Sequence, residues 1–316
     1  MADILFIKTS SLGDVIHHMP AVTEARRRFP AARFAWVVEE DFAPLVALHP
    51  AVETVIPVAS RRWRGAWSHP STWTQMGAFR RALRTHRYET IIDTQGLIRS
   101  ALIAKLARGE RHGYDAASIK ERAAAALYDV GHRVDRSLHA IARNRALTGL
   151  ALGYAPEGDI DFGLDRAALS GSAAGRYAVL LHATARAEKE WPVESWIALG
   201  NDLSTRGYDL VIPWGNEAER ARSLAICARV ARASAPDRRP LGEVAQLIAG
   251  ARFVVGVDTG LVHLAAALGV PLVAVFAGTE PGLYGPMGTG PIAIVGGQDH
   301  APAVEEVLAA VDRIGG

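Results

Sequence analysis

A single cysteine, Cys227, is all the thiol chemistry that 316 residues contain. No intrachain disulfide can form, a reducing compartment is the expectation, and Cys227 itself reads as a small core residue. Also missing is the uninterrupted apolar run of roughly 18 residues that a membrane-spanning helix needs. The longest stretch, Leu264 to Gly278, is broken by Gly269 and Pro271 and reads as a helix end followed by a buried strand. At the N-terminus, MADILFIKTS has no basic region ahead of its apolar residues, and Asp3 and Lys8 interrupt it, which argues against a secretory signal. There is no low-complexity tract or short repeat. No GxGxxG follows the first apolar run, so a nicotinamide-dependent dehydrogenase is disfavoured. His17 and His18 are adjacent, cannot share one helix face, and lack the further ligands of a metal set.

What is present describes a packed globular chain: 49% of residues are hydrophobic and 22% charged. The net charge of +2 conceals an asymmetry: residues 1–150 hold 22 Lys and Arg against 14 Asp and Glu, whereas the remainder holds 13 against 19. A basic first half fits either an anionic partner (nucleic acid, anionic lipid, a phosphorylated substrate) or plain uneven surface charge. ILFIK, FAWVV, TVIPV and TIIDT are short and rich in β-branched or aromatic residues, and so predict strands. AVTEARRRF, MGAFRRALRTH and RSALIAKLA carry apolar residues at three- and four-residue spacing and predict helices. The alternation restarts after residue 176 with YAVLLHA, YDLVIPW, RFVVGV and PLVAVFA. Two α/β domains with mostly parallel sheets are therefore expected, 1–168 and 169–316, with the last helix, APAVEEVLAAVDRI, free to pack on either.

In open α/β sheets, ligands bind beyond the carboxyl ends of the strands, and the chemically notable residues lie there. In FVVGVDTGLVHLAAALG, Asp258, Thr259, Gly260 and His263 open a helix. That suits either an ordinary cap with a buried His or a diphosphate held by backbone N–H groups and the helix dipole. In HATARAEKEWPVESW, Thr184 ends a strand and Lys189 precedes a helix start at Pro192, an odd charge for that position unless an anion intervenes. In VIPWGNEAERAR, Glu217 is either a ribose-hydroxyl acceptor or the N-terminal acid of a surface helix. In TSSLGDVIHHMP, Asp14 is either an N-cap or a general base. ASRRWRGAW gathers Arg61, Arg62 and Arg64 around Trp63, and Lys120, Arg122, Arg133 and Arg136 extend the basic character. FRRALRTHR reads as a solvated helix face. No RNA- or DNA-binding motif accompanies these charges, so nucleic acid is not an expected partner.

Taken together and in order, KTSSLGDVIHHMPA, WVVEE, VIPVASRRWR, DTQGLIRSA, LHATARAEKEWP, PWGNEAERA and VDTGLVHLAAAL resemble the ADP-heptose glycosyltransferase family, glycosyltransferase family 9. The resemblance runs from the first strand to at least Gly285, and the order of the motifs is that of members that add the first heptose of the lipopolysaccharide core. It implies a GT-B fold, with two Rossmann-like domains facing each other across an active-site cleft. It also implies metal-independent, cofactor-independent transfer of L-glycero-D-manno-heptose from the donor substrate ADP-heptose to the inner Kdo of Kdo2-lipid A, with inversion. The alternatives are a same-fold enzyme adding a later heptose, or a nucleotide-sugar-binding protein without catalysis.

Residue by residue, the resemblance makes Asp14 the catalytic base. Thr184, Lys189, Glu217, Asp258, Thr259, Gly260 and His263 become donor contacts. Ser10, Gly13, Arg61, Arg62, Arg64 and Lys120 become acceptor contacts. An anionic lipid acceptor gives the basic half a purpose and implies a cytoplasmic protein that is peripheral on the inner-membrane face. Two departures stand out. Ala185 occupies a place where the family commonly has a second Thr, and the segment after PWG is short, which leaves Glu217 competing with Glu219. No ligand contact is assigned beyond Pro286.

Overall fold

The computed structural model describes residues 2–66, 68–170, 177–184, 186–278 and 280–315. The chain divides into two units, Met1–Gly163 and Leu164–Gly316, slightly ahead of the boundary expected at 168/169. The residues flanking the division explain its place. Gly163 has φ +68°, and a Cβ there would stand 2.6 Å from His49 Nε2, so glycine lets the chain close against the first unit. Just beyond it, the Arg166 guanidinium donates to the carbonyls of Ala249, Ala251 and Gly269 at 2.9–3.2 Å, which binds this stretch to the second unit.

The first unit has strands β1 (Asp3–Ile7), β2 (Arg33–Glu39), β3 (Thr54–Val58), β4 (Thr90–Asp93), β5 (Glu110–Tyr114) and β6 (Val130–His132). Its helices are α1 (Leu12–Arg28), α2 (Ala43–Val46), α3 (Ser60–Gly65), α4 (Pro70–Leu83), α5 (Ile98–Leu106) and α6 (Ala140–Leu152). All strand pairs are parallel, in the order β3-β2-β1-β4-β5-β6. Pro57 is tolerated because β3 is an edge strand, where a missing N–H breaks no central ladder. On one sheet face, Leu5, Ile7, Val37 and Ile91 pack with Phe79 and Leu83 of α4 and Ile103 and Ala104 of α5. On the other face α1 packs against α6, and buried His18 lies edge-on to Phe6 and Trp36.

The second unit repeats the plan. Its strands are β7 (Tyr177–Leu181), β8 (Asp209–Val211), β9 (Ala233–Ser234), β10 (Phe253–Val257), β11 (Leu272–Ala277) and β12 (Ile292–Gly297). Its helices are α7 (Arg166–Ser170), α8 (Val193–Thr205), α9 (Glu217–Cys227), α10 (Leu241–Ala249), α11 (Gly260–Ala267) and α12 (Val304–Arg313). The parallel order is β12-β11-β10-β7-β8-β9, the same winding as in the first unit. β10 and β11 are apolar at every position because layers cover both faces of a central parallel strand. The last helix packs in this unit, where Val307, Ala310 and Val311 join Trp191, Trp196 and Leu199 in one core.

Both sheets are thus doubly wound, the α/β class expected from the alternation of elements. Each has a crevice where the winding reverses: between β1 and β4 in the first unit, between β7 and β10 in the second.

Just past β7, His182 is fully buried, its Nε2 2.8 Å from Ser223 Oγ. Burial lowers its pKa to about 4, with the Arg222 charge acting in the same direction. The folded state therefore favours neutral His182. That stability is complete above the unfolded-state pKa of about 6.5 and is lost as pH falls toward 4. Between pH 7 and pH 5 the expected loss from this group is about 2 kcal/mol. Buried His18 and His49 add to the pH dependence in the same sense, so the measure is the difference between wild type and His182→Asn, which retains a partner for Ser223. Urea titrations at the two pH values should show the dependence shrink by about that amount in the variant.

Candidate functional site

In the first unit the loop after β1 runs straight into α1, and Ser11, rather than Asp14, is the N-cap. Asp14 is the third helical residue and closes a capping box: its Oδ2 accepts from the Ser11 amide at 2.8 Å and from the Ser11 hydroxyl at 3.2 Å. Both hydrogen bonds use one oxygen, so Oδ1 of this half-buried carboxylate remains available to a proton donor. Gly13 lies beside it in the same turn, half-buried.

The neighbouring strand end holds this loop in place. Gln95, beyond β4, accepts from the Thr9 and Ser10 amides with one oxygen, each at 3.0 Å. Arg99 at the start of α5 donates to Ser10 Oγ at 3.2 Å. Lys8, only 6% exposed, donates its ammonium to the Thr94 carbonyl at 2.9 Å. Burial pushes Lys8 below the usual lysine range, Asp14 and Asp93 oppose that, and Arg143 and Lys120 reinforce it. Asp93 is fully buried, which raises its pKa, against hydrogen bonds that include the Tyr128 hydroxyl at 2.8 Å and the Gln95 amide at 2.8 Å. The crevice around Asp14 is therefore rich in cations, and of these sequence reasoning selected only Lys120. Gln95 and Arg99 lie inside the motif DTQGLIRSA, but only the strand order reveals that it borders the β1 loop.

Arg61, Arg62 and Arg64 stand elsewhere in this unit, on α3 after edge strand β3, which β2 separates from β1. Arg62 is engaged by Glu40 at 2.8 and 2.9 Å and by Gln75 at 2.7 Å. Arg61 lies over the Phe42 ring, 5.4 Å from its centre, and Arg64 is exposed. Arg62 and Trp63 border a cavity of about 460 Å³ with Phe79 and Tyr88; none of the residues around Asp14 lines it.

In the second unit Thr184 follows β7 and Asp258 follows β10, so both stand at the crevice. Thr184 Oγ1 donates to the Asp258 carbonyl at 2.8 Å, and the Asp258 carboxylate pairs with Lys189. Lys189 ends a short 3-10 turn ahead of α8, and Pro192 caps that helix. Gly278, at the end of β11 with φ +93°, permits this placement: a Cβ there would meet the Glu188 carbonyl oxygen at 2.6 Å. Thr259 is the N-cap of α11, Gly260 its first residue, and His263 is buried within its first turn. A half-buried ammonium, a hydroxyl and a helix N-terminus thus converge where an anion is well accommodated.

Glu217 opens α9; its side chain is 80% exposed and pairs with Arg220 at 3.4 Å. Glu219 instead turns back on its loop, accepting from the Gly215 amide and from Asn216 Nδ2, each at 2.7 Å. Ala185 lies outside the described residues. Among the described residues, no three His, Cys, Asp or Glu side chains converge as a metal-ligand set.

Gln95 is the fastening of the Asp14 loop, and its replacement tests this directly. Gln95→Met keeps the side-chain length but leaves two buried amides without an acceptor, so a loss of about 1–3 kcal/mol in unfolding free energy is expected. Denaturant titration measures it; an unchanged stability would mean that the loop is held by other contacts.

Comparison with known proteins accords with this geometry. The family model for glycosyltransferase family 9 (heptosyltransferase) matches residues 76–310. Lipopolysaccharide heptosyltransferase 1 of Escherichia coli K12 is 43% identical over 289 residues, covering 90% of this chain and 91% of that protein. The structure of E. coli heptosyltransferase WaaC with ADP superimposes with a TM-score of 0.93 at 39% identity, over 98% of this chain and 99% of that one. The same enzyme with ADP-2-deoxy-2-fluoro heptose gives 0.90 at 37% identity, with coverage of 98% and 99%. The two doubly wound units are those of a GT-B glycosyltransferase, and the chain belongs to glycosyltransferase family 9, the heptosyltransferases.

Proposed function

We propose that this protein transfers L-glycero-D-manno-heptose from ADP-heptose to the inner Kdo of Kdo2-lipid A, with inversion at the sugar's anomeric carbon. The observation that carries this reading is the placement of Asp14, fastened through one carboxylate oxygen at the crevice of a cation-rich unit. Its other oxygen takes the proton of the Kdo hydroxyl as that oxygen attacks. The bond from the anomeric carbon to the diphosphate breaks, and ADP leaves with the electron pair. Developing charge on ADP is met by Lys189, which Asp258 and the adjacent turn position, and by the amides that open α11. Thr184, Thr259, Gly260 and His263 complete the donor pocket in this reading, and Glu217 reaches the ribose by turning from Arg220.

For the acceptor, Ser10, Gly13 and Lys120 stand on the Asp14 unit, with Arg61, Arg62 and Arg64 on the same unit's α3. Arg62 would have to exchange Glu40 for the acceptor's anionic groups. No metal or cofactor enters this reaction, since the ammonium and the helix N-terminus take the diphosphate charge. The relatives bear on the donor: solved structures of the E. coli enzyme hold ADP and ADP-2-deoxy-2-fluoro heptose. A lipid acceptor implies a cytoplasmic enzyme working at the inner-membrane surface. Among the described residues no helix is long and apolar enough to cross a membrane.

For Asp14→Asn, turnover should fall by roughly 10²–10⁴-fold, the usual worth of a general base, with ADP-heptose affinity retained. Stopped turnover assays alongside calorimetric donor titration separate the two, and near-normal turnover removes Asp14 from the role. The acceptor assignment is decided by a matrix of ADP-heptose and UDP-sugars against Kdo2-lipid A and heptosylated core. Transfer is expected only from ADP-heptose to Kdo2-lipid A. Transfer to heptosylated core alone would make the protein an enzyme of a later heptose addition.

A further inference from the structure

In the first unit, α4 and α5 cover the same sheet face, and their outward sides do not read as ordinary solvated surface. On α5, Ile98, Leu102 and Leu106 recur every four residues, opposite the core residues Ile103 and Ala104. They are 41%, 50% and 38% exposed. On α4, Trp73 and Met76, 59% and 39% exposed, share a flank with Arg80 and Arg84, while Phe79 and Leu83 face the core. The two helices meet where Arg84 Nη1 approaches the Leu106 carbonyl oxygen at 3.5 Å.

The charge carried by these two helices has one sign, although exposed Glu121 accepts from the Ile98 amide at 2.7 Å where α5 begins. No acidic residue occurs between Glu53 and Glu89, a stretch that holds seven arginines, and none occurs between Asp93 and Glu110, where Arg99, Lys105 and Arg108 lie. Asp93 itself is buried. Large apolar side chains left in water among cations, with no acid on either helix, are the composition of a surface made for an anionic bilayer. A groove for an acidic protein would need the same charge. Here, however, the apolar groups sit on the crests of two helices, and a broad fluid surface can take up several such crests at once.

We infer that the outer face of α4 and α5 docks the protein on anionic lipid. This inference rests on the reading of a lipid-linked acceptor, and it adds an address to it. The N-terminal end of α5 lies at the carboxyl edge of the sheet, because α5 follows β4 and leads back to the start of parallel β5. Ile98 therefore starts the apolar stripe next to Arg99, whose guanidinium holds Ser10 beside Asp14. A bilayer on this face supports the acceptor close to the loop that carries the proposed base.

The test uses the full chain and vesicles without any acceptor, so its outcome does not depend on which sugar is transferred. Flotation with phosphatidylcholine–phosphatidylglycerol vesicles should retain the protein, and phosphatidylcholine alone should not. Trp73→Gln with Leu102→Gln should weaken retention at least tenfold. Arg80→Ser and Lys105→Ser, which leave the apolar groups in place, should each weaken it roughly fivefold. Turnover on a delipidated, water-soluble acceptor should be unchanged in all of them. Equal retention of wild type and both sets of variants, or no retention on anionic vesicles, overturns the inference. So does a dimer in light scattering that the Trp73 and Leu102 substitutions dissociate, since that would assign the face to a second copy. Loss of heptose transfer to Kdo2-lipid A with vesicle binding intact would count against the acceptor assignment instead.

Discussion

Everything chemical in this molecule depends on one constraint of parallel sheets: a strand can be followed by its neighbour only through a crossover. When the chain winds first one way and then the other, the loops after the two central strands part, and a crevice opens between them. The first unit opens it between β1 and β4, the second between β7 and β10. Gln95 makes the first crevice a defined object, because its single oxygen, coming from the β4 side, fastens two amides on the β1 side. Without that bridge the turn carrying Asp14 would keep its capping box and the Arg99 contact to Ser10, but two buried amides would lose their acceptor.

The two crevices hold charge in different ways. In the first, Lys8 and Asp93 are both buried, each driven toward its neutral form by desolvation and drawn back by partners. Such groups orient the backbone around Asp14 and set its field, and they are too enclosed to serve as the acceptor's own contacts. In the second, Lys189 and Asp258 are a half-buried pair at the open end of the sheet, where a ligand oxygen can reach the ammonium. In the proposed reaction this division is the useful one: a fixed carboxylate for the proton and an accessible cation for the leaving diphosphate.

Much of this was legible before any coordinates, and the misreadings are instructive. The βα alternation and the residues just past the strands were readable because strand periodicity and turn chemistry are local. Of the two readings that the sequence left for Asp14, the N-cap fell to Ser11, one turn-geometry detail that spacing alone does not settle. The arginines of RRWR look like one cluster in sequence, yet α3 sends Arg62 to Glu40 and Arg61 to Phe42. The last helix could be assigned to neither domain by its own amphipathic pattern, because any apolar groove of suitable width would accept it.

The sequence by itself determined that two parallel α/β units would form, where their loops would fall, and that an acid, a lysine and a Thr-Gly helix start would stand on those loops. Each of these follows from short-range periodicity, caps and turn residues. Only the tertiary structure decided which loops are neighbours: that Gln95 and Arg99 reach the Asp14 turn, that Lys189 meets Asp258, and that Glu219 rather than Glu217 folds over its own loop. Those contacts join residues tens of positions apart. Their partners are chosen by strand order, a property of the whole sheet that no single stretch of chain encodes.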